Sequence, residues 1–163
     1  MFVASSFDGI IEIPEEAAQE QQTLVKDQKV EWATWQGLDA ETPLRLQAPT
    51  AWASGFTYDQ FRDYAIETTG GKNSAAFVAV VRTAQSGYWS IQAMRWLDPP
   101  AIKNPTAKRT IAGRKYLLFY QGASLHMVAW KQSGTLFWVL NTLDNQLSND
   151  VMLGLATSCK RVK

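Results

Sequence analysis

The stretch YLLFYQGASLHMVAWKQSGTLFWVLNTL, which runs from Tyr116 to Leu143, decides the fold that the sequence predicts. Aromatic and aliphatic side chains fill most positions of three runs of this stretch, and the short segments QGAS and QSG separate the runs. Short apolar runs that are rich in aromatic residues indicate buried β-strands, and short segments that contain Gly and Ser indicate turns. The stretch therefore predicts an antiparallel meander of three strands.

Both faces of this meander are predicted to be apolar. Aromatic or aliphatic side chains occupy every position of residues 116–120 and 137–140. An antiparallel sheet with one face in water shows polar residues on that face. We therefore expect a cover on each face: helices on one, and the N-terminal residues, loops, a partner or a ligand on the other.

Further strands are predicted outside these three runs. SAAFVAVVRTA and YWSIQAMRWL, joined by the turn QSG, predict a β-hairpin over residues 74–97. RTIAGRKYLLFY predicts that the first strand of the meander is continuous over residues 109–120. KVEWATWQ, residues 29–36, predicts another strand, and PLRLQ, residues 43–47, predicts a short one.

Two helices are predicted to enter and leave the sheet. Residues 57–69 suit a helix because Thr57 is a good N-cap residue and because Phe61 and Tyr64 recur at helical spacing. Residues 148–159 suit a C-terminal helix that carries an apolar stripe. This stripe comprises Leu147, Val151, Met152, Leu155, Ala156 and Cys159.

These elements predict an α+β fold, in which a curved antiparallel sheet of about five or six strands has helices packed on one face. A chain of 163 residues suits one domain with a full hydrophobic core. We interpret residues 1–28 as an N-terminal arm and residues 29–163 as a single α+β domain.

Charge is unevenly distributed along the chain. Residues 1–42 hold nine acids and two bases, whereas the remaining residues hold six acids and fourteen bases. We expect the acidic arm to lie against the basic body, where it would cover the second face of the sheet, or to meet a basic partner. Solvation of both segments is the simpler alternative.

The residues that carry most enzyme chemistry are sparse in this sequence. The single histidine, His126, lies in the meander without an evident orienting partner or nucleophile, so we interpret it as a structural side chain. The single cysteine, Cys159, excludes an internal disulfide and a cysteine-based zinc site. GGK at residues 70–72 lacks the flanking residues of a phosphate loop. We expect no metal site and no cofactor, and the sequence favours a non-enzymatic protein.

Two sets of residues are candidates for binding. A basic cluster that includes Lys103 lies beside the aromatic strands, which suits an anionic polymer, although a solvated loop is the alternative interpretation. A pI of about 7.8 does not favour nucleic acid. The candidate contacts for an anionic polymer are Lys108, Arg109, Arg114 and Lys115. The candidate contacts for another ligand or partner are Trp130, Trp138, His126 and Tyr120.

Three segments of the C-terminal half carry a textual resemblance: Leu125 to Trp130, Phe137 to Leu143 and Leu147 to Ala156. Residues 87–158, which contain them, resemble a part of bacterial cell-envelope proteins of the LytR-CpsA-Psr family or their neighbours. There, LHMVAW is followed by a YWVxNTL strand and an LSNxxMLxIA helix. The resemblance includes no catalytic motif, and the Arg and Asp residues of that family's phosphotransferase core have no counterpart here. It implies an extracytoplasmic accessory domain that is tethered to a membrane.

These observations lead us to expect a non-enzymatic extracytoplasmic binding or assembly domain of the bacterial cell envelope. The alternatives are a small-molecule-binding or enzymatic domain with a pocket between sheet and helix, and a subunit of a larger complex. The expected partners are another envelope protein or a cell-wall polymer, with a homo-oligomer left open. No run approaches the roughly 18 apolar residues of a membrane helix, so attachment would need a tether outside this chain. If Met1 is the native start, we expect a cytoplasmic location.

Overall fold

The computed structural model describes residues 23–162. Most of the predicted arm, residues 1–22, lies outside the described residues, and so does the predicted covering of the sheet by this arm. The helices are α1 (Trp32–Glu41) and α2 (Asn149–Thr157), and Pro100–Ile102 forms a 3₁₀ turn. The strands are β1 (Leu24–Val25), β2 (Gln47–Pro49), β3 (Trp52–Ala53), β4 (Thr57–Glu67), β5 (Asn73–Arg82), β6 (Tyr88–Met94), β7 (Ala107–Ile111), β8 (Arg114–Gln121), β9 (Ser124–Gln132), β10 (Thr135–Leu140) and β11 (Cys159–Arg161).

Seven of these strands form one antiparallel sheet with the order β4-β5-β6-β10-β9-β8-β7. The short pairs β1–β3 and β2–β11 lie outside it. The meander provides β8, β9 and β10, and the predicted hairpin provides β5 and β6. An α+β fold around one large antiparallel sheet is confirmed, although the helices are few and the sheet has more strands than the sequence predicts.

The sheet carries a separate apolar cluster on each face. Both helices contribute to the cluster on one side, called here the helix face. No residue of α1 or α2 belongs to the cluster on the opposite side, called here the second face. The buried residues of the second face are Ala76, Met94, Ile102, Met127, Ala129, Leu136 and Trp138. Both faces of the meander are therefore apolar, as the continuous apolar runs of the sequence predict.

The predicted strand over residues 109–120 is a hairpin of two strands. β7 ends at Ile111 and β8 begins at Arg114. Between them, Ala112 and Gly113 have φ values of 51° and 82°, in the left-handed region. Two consecutive left-handed residues form the tight turn that joins twisted antiparallel strands. The alternation misses this turn because Ala112 stands where Asn, Asp or Gly is the usual signal.

The predicted helix at residues 57–69 is wrong, because these residues form β4 at one edge of the sheet. An irregularity between Tyr58 and Gln60 shifts the register of β4 against β5 by one residue, as a β-bulge does. As a result Tyr58 and Phe61 both pack on the helix face, whereas Tyr64 packs on the second face. The bulge therefore lets Tyr58 and Phe61 share a face, whereas Phe61 and Tyr64, the pair that resembles a helical repeat, lie on opposite faces of a strand.

The predicted strand at residues 29–36 is also wrong, because helix α1 begins within it. Trp35 of this helix is buried, and its ring centroid lies 5.5 Å from those of Phe61 and Phe77. Its Nε1 donates a hydrogen bond of 3.1 Å to the hydroxyl of Tyr58, and burial raises the pKa of that hydroxyl. Packing of this indole over β4 and β5 therefore stabilises the helix.

Helix α2 begins as predicted, because Ser148 is its N-cap and accepts a 3.2 Å hydrogen bond from the main-chain N–H of Val151. It ends at Thr157, so Cys159 lies in β11 rather than in the helix. Burial raises the pKa of the Cys159 thiol to about 12, although Arg114 opposes this shift in part. The thiol is therefore protonated at neutral pH and is a poor nucleophile. No helix of the described range is long and apolar enough to cross a membrane.

A proline-rich loop, residues 95–106, covers part of the second face. Its Ile102 is buried in the second-face cluster, and Trp96 and Leu97 pack against the same cluster. The three prolines prevent regular strand structure here, and only the 3₁₀ turn forms. The loop connects β6 to β7, and β10, β9 and β8 lie between these two strands in the sheet. The loop therefore crosses the second face and covers part of the half that contains β7, β8 and β9.

Candidate anion-binding pocket

A pocket of about 480 Å³ lies on the second face, between the 95–106 loop and strands β7, β8 and β9. Pockets for small molecules commonly have volumes of roughly 300–1,000 Å³. The pocket is lined by Asp98, Pro99, Ile102, Lys103, Pro105, Lys108, Lys115, Leu117, Trp130 and Lys131. We call it the lysine pocket, because four of its ten lining residues are lysines and only one is an acid.

Strand pairing brings three of these lysines onto one face. Lys108 of β7 is paired with Leu117 of β8, and residues directly opposite in an antiparallel pair share a face. Lys115 lies two residues before Leu117, so its side chain points to the same face. Leu117 is paired with Ala129 of β9, and Lys131 follows Ala129 by two residues. The side chains of the three lysines therefore share one face with the apolar Leu117 and Ala129.

The loop supplies the fourth lysine and a preformed wall. Lys103 directly follows the buried Ile102, whose main-chain N–H donates to the carbonyl of Pro99 at 3.2 Å. The N–H of Lys103 donates to the carbonyl of Pro100 at 3.1 Å. Proline rings and these hydrogen bonds restrict the main chain of the loop. A ligand would therefore meet a wall that needs little ordering, which lowers the entropic cost of binding.

The pocket carries excess positive charge. Nζ of Lys131 lies 2.7 Å from Oδ1 of Asp98. Within residues 23–162, no carboxylate forms an ion pair with Lys103, Lys108 or Lys115. A lysine ammonium is a compact, strongly hydrated point charge, and several of them around one cavity attract anions. The arrangement suits a ligand with more than one negative charge and some apolar surface.

The basic cluster predicted from the sequence is divided between the two faces. Lys108 and Lys115 line the lysine pocket, whereas Arg109 is paired with Tyr116, a residue of the helix face. The guanidinium carbon of Arg114 lies 5.8 Å from the ring centroid of Tyr116, and the guanidinium also donates to the carbonyl of Cys159 at 3.3 Å. Arg114 therefore ties β8 to the C-terminal strand on the helix face.

The predicted aromatic contacts do not come together in the pocket. Trp130 is one of the lining residues, but its indole is buried on the helix face and donates to Oε1 of Gln47 at 3.2 Å. Tyr120 also packs on the helix face. Trp138 is buried on the second face, outside the pocket lining, and its Nε1 has no hydrogen-bond partner within the described range. These side chains therefore contribute mainly to the two layers of the core.

His126 lies at an irregularity of the sheet rather than in the pocket. The pairing of β8 with β9 shifts between Phe119 and Tyr120, which leaves His126 as the extra residue of β9. Its Nδ1 lies 2.7 Å from Oδ1 of Asn145, and an amide oxygen only accepts, so Nδ1 carries the proton. Asn145 in turn donates to Oε1 of Gln121 at 3.1 Å. This network ties the loop that contains Asn145 to strands β8 and β9 and supports the structural interpretation of His126.

Replacing His126 with alanine is expected to lower the free energy of unfolding by about 1 kcal/mol, the usual contribution of one side-chain hydrogen bond. Denaturant unfolding of the wild type and of His126→Ala would measure this difference. Binding of anions in the lysine pocket should not change, because His126 does not line it. A variant that unfolds normally but loses a binding or catalytic activity would contradict the structural interpretation.

A second, smaller pocket of about 270 Å³ differs in charge from the lysine pocket. Glu41 and Asp63 line it, together with Thr42, Pro43, Tyr64, Ala75 and Ala76. Two carboxylates and no base make this pocket unfavourable for anions. Within residues 23–162, no three or more His, Cys, Asp or Glu residues are grouped in a way that could hold a metal ion.

Two charged residues of the lysine pocket are absent from the basic cluster and from the candidate contacts predicted from the sequence. Lys131 enters the pocket only through the pairing of β9 with β8, and Asp98 enters it through the position of the loop. The sequence does indicate that Lys131 and Ala129, which are two residues apart on one strand, share a face. Placing Lys131 in the pocket also requires the pairing of Ala129 with Leu117. Comparison of the chain with protein-family models, with curated proteins and with solved structures finds no match. The interpretation of function therefore depends on the geometry of the pocket.

Proposed function

We propose that this chain is a non-enzymatic binding domain that holds an anionic polymer of the bacterial cell envelope in the lysine pocket. The observation that carries the proposal is the convergence of four lysines on one preformed cavity that contains a single carboxylate. The resemblance of residues 87–158 to envelope proteins supports the cellular location that we propose. The same resemblance supports an extracytoplasmic domain that is tethered to a membrane.

The lining of the pocket favours binding over catalysis. Its polar groups are ammonium ions, and its one carboxylate, on Asp98, is engaged by Lys131 at 2.7 Å. A hydrolytic site needs a base that is positioned on a nucleophile. Lysines that surround a cavity instead attract negative charge without imposing a strict geometry. Such a pocket suits a polymer that presents repeated anionic groups in variable orientations.

Binding of two chemically different polyanions tests the proposal directly. Isothermal titration calorimetry with long-chain inorganic polyphosphate and with poly-glutamate would separate a preference for phosphate from a preference for carboxylate, and neutral dextran would serve as the control polymer. We expect one or both polyanions to bind and dextran not to bind. The affinity should fall steeply as salt is added, because the binding of a polyanion releases its condensed counterions.

The double variant Lys108→Gln/Lys115→Gln is expected to bind the preferred polyanion at least about tenfold more weakly than the wild type. Each lost ammonium contact should also reduce the slope of log Kd against log salt by about one. Lys72→Gln is the matched control, because this exposed lysine lies in the β4–β5 turn at the opposite edge of the sheet. Equal losses in the two variants would indicate unspecific attraction to the surface, and no binding by the wild type would refute the proposed function.

A further inference from the structure

Asp98 is the single acidic residue of the lysine pocket, and it faces one of the four lysines. The side chains of Lys131 and Asp98 are 42% and 78% exposed, although their charged atoms are only 2.7 Å apart. Solvent screens an ion pair with this exposure, so the pair stabilises the fold little. A ligand can therefore break this pair at low cost.

The main chain, rather than the ion pair, positions Asp98. The next residue is the buried Pro99, and a residue before proline is restricted to extended conformations. The carbonyl of Pro99 accepts a hydrogen bond from Ile102, whose side chain is anchored in the second face. The main chain of Asp98 therefore stays at the rim of the pocket whether or not Lys131 contacts the carboxylate.

We propose that Asp98 is an internal counter-ion that sets the affinity of the lysine pocket. In the free protein the Asp98 carboxylate forms an ion pair with Lys131. An incoming anion reaches this fourth lysine only by displacing that carboxylate. The displaced carboxylate remains nearby and repels the bound anion, so the pocket holds its ligand less tightly than four free lysines would. This inference rests on the proposed function, since it concerns the same pocket.

A cycle of charge variants tests the inference, with long-chain polyphosphate as the probe and Kd as the readout. Asp98→Asn keeps the shape of the side chain and removes its charge, and we expect it to tighten binding about three- to tenfold at low salt. Lys131→Gln is expected to weaken binding by a similar factor. In the double variant the two changes offset each other, so its Kd should lie within about twofold of the wild type.

Asp59→Asn is the matched control, because Asp59 is an exposed acid on β4, far from the pocket lining. It should leave the Kd unchanged, and Asp98→Ser should reproduce the effect of Asp98→Asn. If Asp98→Asn leaves Kd unchanged or weakens binding, the counter-ion role is refuted, while the Lys108→Gln/Lys115→Gln result still decides the proposed function separately. If the wild type does not bind polyphosphate or any other polyanion, both proposals fail.

Discussion

Replacing Leu155 with alanine is expected to lower the free energy of unfolding by about 2–5 kcal/mol, through lost transfer energy and a residual cavity. Leu155 is fully buried, and helix α2 packs there against β9 and β10 on the helix face. Denaturant unfolding monitored by tryptophan fluorescence would measure the loss. Binding of polyanions by the folded variant should be unchanged, because the lysine pocket lies on the second face.

Leu153→Ala is the matched control on the same helix. Leu153 is only partly buried against the same cluster, so its truncation should cost clearly less than that of Leu155. An unfolding midpoint that Leu155→Ala leaves unchanged would show that α2 does not close the core. Equal costs for the two leucines would show that the helix packs less specifically than its burial indicates.

The parts of the fold that the sequence predicts correctly carry strong local signals. The short apolar runs over residues 116–143 predict three neighbouring strands, because they are rich in aromatic residues and the turn segments QGAS and QSG separate them. Helix α2 combines a stripe of buried residues with the cap at Ser148. In both cases the local pattern and the tertiary contacts agree, and the sequence alone is then sufficient.

The sequence predicts a strand where helix α1 forms and a helix where strand β4 forms. Both predictions are wrong because long-range contacts, rather than local sequence patterns, determine these two elements. Glu31, at the start of α1, has a left-handed φ of 57° and makes no side-chain capping hydrogen bond. In β4, Phe61 and Tyr64 have the three-residue spacing of a helix but lie on opposite faces of the sheet. The contact between Trp35 and Tyr58 joins residues far apart in the sequence and stabilises both elements. Such mutual stabilisation cannot be predicted from either segment alone.

The candidate site could be predicted only in part, for a related reason. Lys108 and Lys115 were identified from their position in a basic cluster, and the structure brings them together in one pocket. Arg109 and Arg114 belong to the same cluster, but strand alternation turns them away from these lysines. Lys131 comes from a different strand, and only the long-range register of the sheet brings it to the pocket. A cluster of charged residues in a sequence can therefore be recognised as a binding site only when the pairing of the strands is known.

Replacing Asn141 with leucine is expected to destabilise the protein by about 3–5 kcal/mol, because each buried main-chain group left without a partner costs about 1–3 kcal/mol. Asn141 is 3% exposed. Its Nδ2 donates to the carbonyls of Leu125 and Leu147, at 3.0 and 2.9 Å. Its Oδ1 accepts from the main-chain N–H groups of Thr142 and Leu147, at 2.8 and 3.1 Å.

This one side chain therefore provides hydrogen-bond partners for four main-chain groups in and around the turn that leads from β10 to α2. Leucine has nearly the same volume as asparagine but none of its polar atoms. Unfolding experiments would measure the loss, and hydrogen exchange should become faster at the amides of Thr142 and Leu147. Asn73→Leu is the matched control, because Asn73 is exposed at the start of β5 and the same chemical change should cost little there. If the two variants unfold at the same midpoint, water replaces the lost partners, and the turn is held by apolar packing of Leu147 rather than by the amide of Asn141.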